Sequence, residues 1–418
     1  MAAATFPRRY GRPVTTEPPM AWTEARAVAY AAGRAARPEP VAAPLAEADG
    51  LTLASPLTAR TDMPAFPVST VDGYAVRGPG PWPVVGRVLA GSVPEPLRPG
   101  TAVQIATGAM VPAATEHIIR VEDADQRPGG LVSGVAPPAR QWREPGDEAA
   151  GGDELLPAGV PVTPAVIGLA AISGHDTLPV TPAASAAVVV FGDELLTAGP
   201  PGRGRIRDGL GPQLPAWLRR LGAATPAGLA GPGPVEDTLP AQTAAVEAAL
   251  KHAEVVCTVG GTMHGPVDHL RAALAALGGR HLVDRVAVRP GWSMLLAEIP
   301  VPGGPPRFVV GMPGNPQSAI VTLVSLVAPL LDGLAGRAER PLPTVRLTEP
   351  ARGRGGATHL LPVRVEHGAA TPVRHAGSAM LRGLARADGF AVIAPGTDGA
   401  AGDVLPWAPL PLVPGGRP

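Results

Sequence analysis

Arg307-Phe308-Val309-Val310-Gly311-Met312-Pro313-Gly314-Asn315-Pro316-Gln317-Ser318 decides the architecture, because it passes from a strand pattern to a helix start within one turn. Residues 307–310 form a short apolar run of the kind a buried strand uses, and 316–331 carry the longer apolar pattern of a helix. Between them, Asn315 can cap the helix, Pro316 suits its first position, and Ser318 adds a hydroxyl near the orphan N–H groups. A helix N-terminus built this way attracts anions, since its unpaired N–H groups carry partial positive charge. Read alone, Pro-Gly-Asn-Pro is equally a tight turn with a cap. Its neighbours give it chemistry.

Working outward, strand-like and helix-like runs alternate over 185–336, at 186–190, 213–221, 242–252, 254–259, 267–277, 285–288, 307–310 and 316–331. This is the rhythm of a parallel sheet covered by helices. The Pro/Gly-rich piece 300–306 reads as a hairpin connection. In such a sheet, ligands bind beyond the carboxyl ends of the strands. Four segments are therefore predicted to line one rim: Gly192-Asp193-Glu194, Gly260-Gly261 with His264 and Asp268, Arg289-Pro290-Gly291, and the turn at 313–318. Two carboxylates on that rim, Glu194 and Asp268, can hold a divalent cation between themselves and a phosphate, although each alone is more often a solvated loop acid. Asp193 and Glu236 or Asp237 are weaker candidates of the same kind. His264 and His269 lack CxxC or HExxH partners, which speaks against a zinc site.

The flanking sequence has a different texture. Residues 22–36 read as a helix with Thr23 as N-cap, closed before Pro38. Short apolar stretches broken by Gly and Pro over 51–135 read as a β-rich domain. Residues 143–180, with a helical segment at 164–173, are expected to return to the first helix, which makes the β-rich part an insertion. The end of the chain is again short and β-like, with turns at Gly368, Gly396 and Gly402. The expectation is a multidomain α/β protein: a disordered tail at 1–19, a discontinuous helical, elongated linker domain at 20–50 and 141–182, an inserted β-rich domain at 51–140, a central parallel-sheet domain with helices on both faces at 183–336, and a small C-terminal β-barrel domain at 337–418.

Composition narrows the function classes. A chain of 418 residues is too long for one core. Hydrophobic residues make up 45% of it, yet no uninterrupted apolar run approaches the roughly 20 residues of a membrane helix. The N-terminus carries no apolar signal segment, so a cytoplasmic location is expected. Formal net charge is zero, which speaks against nucleic acid and anionic membranes as partners and for a small-molecule substrate. The single cysteine, Cys257, lies in an apolar run and reads as a buried thiol. Lys251 is the only lysine among 35 basic residues, so arginine stands where other sequences would carry lysine.

Several stretches resemble, in order and spacing, motifs of the molybdopterin molybdenumtransferase family, which includes the C-terminal part of gephyrin. They are Asp62-Met-Pro-Ala-Phe66 with Ser69-Thr-Val-Asp72-Gly-Tyr-Ala-Val76, Gln104-Ile-Ala-Thr107-Gly-Ala-Met-Val-Pro112 with Val121-Glu-Asp123, and Arg143-Glu-Pro-Gly-Asp-Glu148. Gly192-Asp-Glu-Leu195, the loop from Gly260 to Asp268, Gly311-Met-Pro-Gly-Asn-Pro316, Gly377-Ser-Ala-Met-Leu381 and Leu384-Ala-Arg-Ala-Asp388-Gly389 continue the series. The resemblance implies a homodimer that takes adenylated molybdopterin and molybdate, uses a divalent cation such as Mg²⁺, and releases AMP. Its site would lie between the α/β domain of one subunit and the inserted domain of the other. Asp72 and Thr107 would reach the nucleotide-bearing ligand, with Asp72, Glu194 and Asp268 as the catalytic acids and Glu194 and Asp268 on the metal. Asp193, Asp208, Gly260 and Gly261 would complete the substrate site. Molybdate would meet Arg289, Pro313, Gly314, Asn315, Pro316, Ser318 and Ser378.

The sequence departs from the family pattern at several positions, among them Val190, which with Phe191 replaces a Ser-Thr pair. Phe191 and Leu210 replace polar residues, Met263 a serine, Pro266 an acid, and Trp292 the second cation of a Lys-Pro-Gly-Lys stretch that here reads Arg289-Pro-Gly-Trp292. A cation about 4 Å from a dianion contributes several kcal/mol at an effective dielectric of about 20, so losing one weakens oxyanion binding unless another cation replaces it. Arg352 and Arg354 lie where such a residue could come from. A non-catalytic protein of the same fold, binding molybdopterin, molybdate or another anion, is the alternative that these departures leave open.

Overall fold

A computed structural model describes residues 18–225, 233–339 and 341–412. Nearly all of the tail expected at 1–19 lies outside the described residues. The chain divides into two compact units, Met1–Val41 with Thr181–Pro418, and Ala42–Val180.

The first unit is organised by a five-stranded sheet in the order Ala186–Val190, Val255–Val259, Arg307–Met312, Leu295–Ile299, Arg280–Asp284. The first three strands are parallel, with Val190, Val259 and Met312 in register at their carboxyl ends. Their continuous apolar sequences follow from burial on both faces. Val188, Val190, Cys257 and Val259 enter one core with the helix Leu214–Arg220 and the long helix after Asn315. Ala187, Val189 and Val256 enter another with Leu239–Leu250 and Leu270–Ala276. Helices thus cover both faces, as expected, while the sheet is mixed rather than wholly parallel. The strand Leu295–Ile299 runs antiparallel to Arg307–Met312, so 300–306 is the anticipated hairpin connection.

Residues 285–288 do not join the five-stranded sheet. Arg285 has φ +66° and turns the chain out of the sheet after Asp284. The following Val288–Arg289 pairs instead with Thr358 and His359 of the C-terminal sheet. That sheet closes into a five-stranded barrel, because Thr358–Glu366 pairs with Ala369–Pro372 on one side and Gly389–Ile393 on the other. Thr344–Leu347 and Val404–Pro409 complete the ring.

The helix Pro316–Leu334 is long and apolar enough to cross a membrane, with mean hydropathy 1.6, but it is buried in the first unit's core. One wide turn at Leu323–Val327 precedes Pro329, whose ring would clash with the carbonyl of residue 325 in an uninterrupted α-helix. Ser325 in that turn accepts a hydrogen bond from Trp22 Nε1 at 2.8 Å. Through this contact the helix Trp22–Ala35 joins the first unit's core. Its N-cap is Ala21, without a side-chain bond, rather than Thr23. Gly33 and Gly333 let the two helices approach: a Cβ on Gly33 would stand 2.1 Å from the Leu330 carbonyl oxygen, and one on Gly333 would stand 2.3 Å from that of Tyr30.

The second unit contains a six-stranded sheet built from strands between Gly73 and Gly134. Its remaining core gathers Leu53, Leu57, Val162, Val166, Leu178 and Val180 around the helix Pro164–Ile172, capped by Thr163. The chain enters and leaves the six-stranded sheet through a clasp. Asp62 Oδ1 accepts from the Gly151 amide at 2.8 Å, and the Glu148 amide donates to the Met63 carbonyl at 2.8 Å. Motifs 62–66 and 143–148 are thereby explained as mutual partners, with Asp147 Oδ2 accepting from the Glu144 amide and Arg140, each at 2.7 Å.

The fold shifts the protonation of two buried groups, Cys257 and His359, and of one imidazole nearer the surface, His281. Burial pushes the Cys257 thiol up to about 12, which makes it inert as a nucleophile. Desolvation also lowers the His281 and His359 imidazoles against the opposing pull of Asp284 and of the Arg352 carbonyl, respectively, with Arg271 and Arg354 adding to the lowering. Substituting Gly33→Ala should destabilise the protein by about 1–3 kcal/mol, because the added methyl meets backbone rather than a flexible side chain; denaturant unfolding measures this. The two depressed histidines take up protons at lower pH in the fold than in the unfolded chain, where they protonate at about pH 6.5. The unfolded state therefore takes up protons first as pH falls, and the stability present above that value declines towards the folded pKa values. Melting temperature should drop between pH 7.5 and 5.5, and less steeply in a His281→Gln, His359→Gln variant; equal slopes would refute the assignment.

Candidate functional site

Three of the four expected segments meet at the carboxyl rim of the parallel strands. The Phe191 amide donates to the Val259 carbonyl at 3.0 Å, and the Gly260 amide donates to the Met312 carbonyl at 2.9 Å. Gly260 and Gly261 have φ +90° and +68°, so the loop turns immediately where only glycine is unstrained. A Cβ on Gly314 would lie 3.9 Å from the Gly260 Cα, which places Pro-Gly-Asn-Pro beside the glycine loop. The fourth segment arrives by another route. Although 285–288 is not in the sheet, the loop at 289–292 packs on the long helix, and a Cβ on Gly291 would stand 3.5 Å from the Ser318 carbonyl oxygen.

The glycine loop is held from within. Asp268 Oδ1 accepts from the Met263 amide at 3.0 Å and Oδ2 from the Gly265 amide at 2.7 Å, so this carboxylate shapes its own loop. Arg271 donates to the Thr262 carbonyl at 2.5 Å and pairs with Asp284 at 2.6 Å, and Thr262 Oγ1 lies 2.9 Å from Ser293 Oγ in a buried contact. Neither Arg271 nor Ser293 stood out in the sequence, because their roles depend on long-range contacts.

The acids around the first strand end form a second cluster. The Asp193 amide donates to Asp237 Oδ2 and the Asp237 amide to Asp193 Oδ1, each at 3.3 Å. Burial raises the Asp237 carboxyl, and the negative charges of Asp193 and Glu194 raise it further against the Asp193 hydrogen bond and His269. Asp237, a weak sequence candidate, is therefore central. Asp208 Oδ1 accepts from the Leu210 and Gly211 amides, each at 2.9 Å, which orders the approach to the helix Leu214–Arg220. Among the described residues, no three His, Cys, Asp or Glu side chains stand close enough to hold a metal by themselves. Carboxylate oxygens such as those of Asp193, Glu194 and Asp237 are the donor type a hard divalent cation takes, and a cation here would need phosphate and water for most of its ligands. The carboxylates' mutual repulsion is what a cation would relieve. Asp268 has both oxygens already accepting within its own loop.

A cavity of about 450 Å³ lies against the N-terminus of the long helix. Arg289, Gln317, Arg354, His359 and Ser378 line it. The Gln317 amide, one of the helix's orphan donors, gives its hydrogen to the Ser378 carbonyl at 2.9 Å, and Gln317 Oε1 accepts from the Gly377 amide at 3.1 Å. These two bonds fasten the Ser378 segment to the helix. Asn315 occupies the N-cap position, but its side chain makes no capping bond, contrary to expectation; its carbonyl accepts from the Ala319 amide at 3.0 Å. Pro316 and buried Ser318 occupy the first turn as anticipated. His359 is 7% exposed, with Nδ1 3.0 Å from the Arg352 carbonyl oxygen, so Arg352 supplies backbone while Arg354 supplies charge. Two guanidiniums, an imidazole and a serine around one cavity suit a small tetrahedral oxyanion.

In the second unit, Asp72 and Thr107 are brought together. Asp72 precedes Gly73, whose strand partner Ile105 lies two residues before Thr107, and Asp72 Oδ1 accepts from the Thr107 amide at 2.7 Å and its hydroxyl at 3.0 Å. These bonds, the backbone one foremost, hold the exposed Asp72 carboxyl below its ordinary range. A Cβ at residue 73 would stand 2.1 Å from the Ile119 carbonyl oxygen, so only glycine allows the strand to begin directly after Asp72.

Three family models match the chain in order. They are the MoeA N-terminal region (domain I and II) over residues 20–174, the probable molybdopterin binding domain over 187–333, and the MoeA C-terminal region (domain IV) over 344–410. A protein named molybdopterin molybdenumtransferase 2 from Mycobacterium tuberculosis (strain ATCC 25618 / H37Rv) is 33% identical over 376 residues, which cover 84% of this chain and 90% of that one. The molybdopterin molybdenumtransferase of Synechococcus elongatus is also 33% identical, over 72% of this chain and 76% of its own. Among solved structures, the molybdopterin biosynthesis MoeA protein from Pyrococcus horikosii aligns with a TM-score of 0.76 and 25% identity, over 94% of this chain and 99% of that one. With relatives of that extent and all three regions in order, the chain belongs to the molybdopterin molybdenumtransferase family, enzymes of molybdenum cofactor biosynthesis.

Proposed function

We propose that this protein inserts molybdate into adenylated molybdopterin with release of AMP, as a cytoplasmic homodimer. The observation that carries the reading is the cavity at the helix N-terminus, where Arg289, Arg354, His359 and Ser378 surround a space suited to an oxyanion. Molybdate is a tetrahedral dianion, and the guanidiniums offer forked N–H donors to its oxygens while the serine adds a hydroxyl. The long helix contributes its N-terminal field. Fixing the oxyanion there lowers the entropic cost of bringing it to the dithiolene of the pterin.

In this reading, the domains at 183–336 and 337–418 hold the pterin and molybdate. Asp72 and Thr107 approach the adenylate from the domain at 51–140 of a second copy, with the domain at 20–50 and 141–182 as the linker. The Asp72–Thr107 bonds keep the carboxylate ionised and aimed. Glu194 and Asp268 would hold Mg²⁺ together with substrate phosphate, Asp268 sharing its oxygens with its loop amides, and Asp193 and Asp237 would add negative charge beside Glu194. When bound, the cation neutralises charge on the phosphoanhydride. Gly260 and Gly261 let phosphate oxygens approach the backbone, and Asp208 orders the segment beneath the pterin. Anhydride cleavage of this kind needs positioning and charge neutralisation more than a covalent nucleophile.

Purified protein mixed with adenylated molybdopterin, Mg²⁺ and molybdate should release AMP and activate a cofactor-free molybdoenzyme. Glu194→Gln should lower the rate by roughly 100-fold or more, and Thr107→Val by a smaller factor, since it removes only the hydroxyl bond to Asp72. A folded wild-type protein that releases no AMP, or one indifferent to Glu194→Gln, would contradict the assignment.

A further inference from the structure

Trp292 follows the cis-linked Arg289-Pro290 and Gly291, and its carbonyl accepts from the Val286 amide at 3.1 Å. Its ring sits against two guanidiniums. The Arg285 guanidinium carbon lies 5.4 Å from the ring centroid and that of Arg289 lies 5.9 Å away, both within cation–π range. The two arginines are differently placed. Arg285 is 4% exposed and lies beside Asp284, the residue that also pairs with Arg271. Arg289 is exposed and lines the oxyanion cavity with Arg354, His359 and Ser378. Next to Trp292, Ser293 is tied to Thr262 of the glycine loop. The indole is therefore anchored through its own carbonyl and through the neighbouring Ser293, while its ring meets the one arginine of this loop that reaches the cavity.

We propose that Trp292 is a positioning residue for oxyanion capture, its ring holding the Arg289 guanidinium at the cavity it shares with Arg354 and Ser378. An exposed arginine samples many rotamers, and ordering it costs binding free energy. A ring face that already restricts the guanidinium reduces that cost, so an aromatic residue at 292 strengthens binding without carrying charge. This rests on the reading that the cavity takes the oxyanion.

The test is a double-mutant cycle with tungstate and molybdate alone as probes, titrated calorimetrically into the full-length protein. Trp292→Leu should weaken the dissociation constant by roughly 3-fold to 10-fold in the parent, and not further in an Arg289→Ala background. Trp292→Phe, which keeps a ring face, should stay close to the parent and also controls for folding. Equal losses from Trp292→Leu in both backgrounds, no loss in the parent, or no oxyanion binding at all would overturn the proposal. AMP release separates this from the functional reading. Coupled oxyanion binding without any AMP release would leave Trp292 in its role and sink the transferase reading. Molybdate-dependent AMP release with additive variants would do the reverse.

Discussion

The bond from the Gly260 amide to the Met312 carbonyl is where the parallel ladder ends and the site begins. It is the last rung between two buried strands, and beyond it both chains must turn away from the sheet. Gly260 and Gly261 do so through positive φ, while Met312 leads into Pro-Gly-Asn-Pro and the long helix. Because Val190, Val259 and Met312 are in register, the acids after the first strand, the glycine loop after the second and the helix N-terminus after the third share one rim. A one-residue slip would reverse the facing of a strand whose two sides enter different cores, so the ladder fixes the site's geometry through packing.

Anion binding is then assembled from groups that the sheet does not itself supply. The C-terminal barrel brings Arg354, His359 and Ser378. It is joined to the first unit's sheet region by the short pairing of Val288–Arg289 with Thr358–His359, so the arginine that lines the cavity is also the residue that docks the barrel strand. The Gln317 amide shows the same economy: a donor freed by the helix start goes to the Ser378 carbonyl, and helix and barrel loop become one wall. The field of the helix remains available to a ligand even though one N–H is spent on structure.

Strands at 186–190, 255–259 and 307–312 were legible in the sequence because burial on both faces leaves uninterrupted apolar runs. Leu295–Ile299 and Arg280–Asp284 were not, since an antiparallel pair at the sheet edge mixes Glu298, Arg280 and His281 into its pattern. Residues 285–288 looked equally strand-like, and what removes them from the sheet is the positive φ of Arg285, a backbone choice without a glycine to announce it. The site was legible where one short motif contains both the turn and its consequence, as in Pro-Gly-Asn-Pro and the glycine pair. It was opaque where a role is created by distant partners: Arg271 reaching Asp284, Ser293 reaching Thr262, or Asn315 leaving its capping place unused while a barrel carbonyl takes a nearby amide. The choice between Arg352 and Arg354 also needed the fold, since they are two residues apart and only the second faces the cavity.

The apolar departures from the family pattern divide along the same line. Replacing a polar side chain by an apolar one is costly when it leaves a buried partner unsatisfied, and nearly neutral when the new group is packed. Phe191 is 4% exposed and belongs to the core with Val189 and Leu270; Leu210 is 3% exposed and belongs to the core with Leu214 and Val190. Both side chains are accommodated as hydrophobic contacts under the rim, while their amides still bond to the Val259 carbonyl and to Asp208. Met263 and Pro266 sit on the exposed part of the glycine loop, whose shape is fixed by Asp268 and Arg271 through backbone groups that any residue supplies. Trp292 alone trades a charge for a ring, and it does so where two guanidiniums already stand against that ring. The first unit's rim has thus exchanged side-chain polarity for packing at positions where the backbone does the bonding, and it keeps its charges at Asp193, Glu194, Asp237, Arg289 and Arg354.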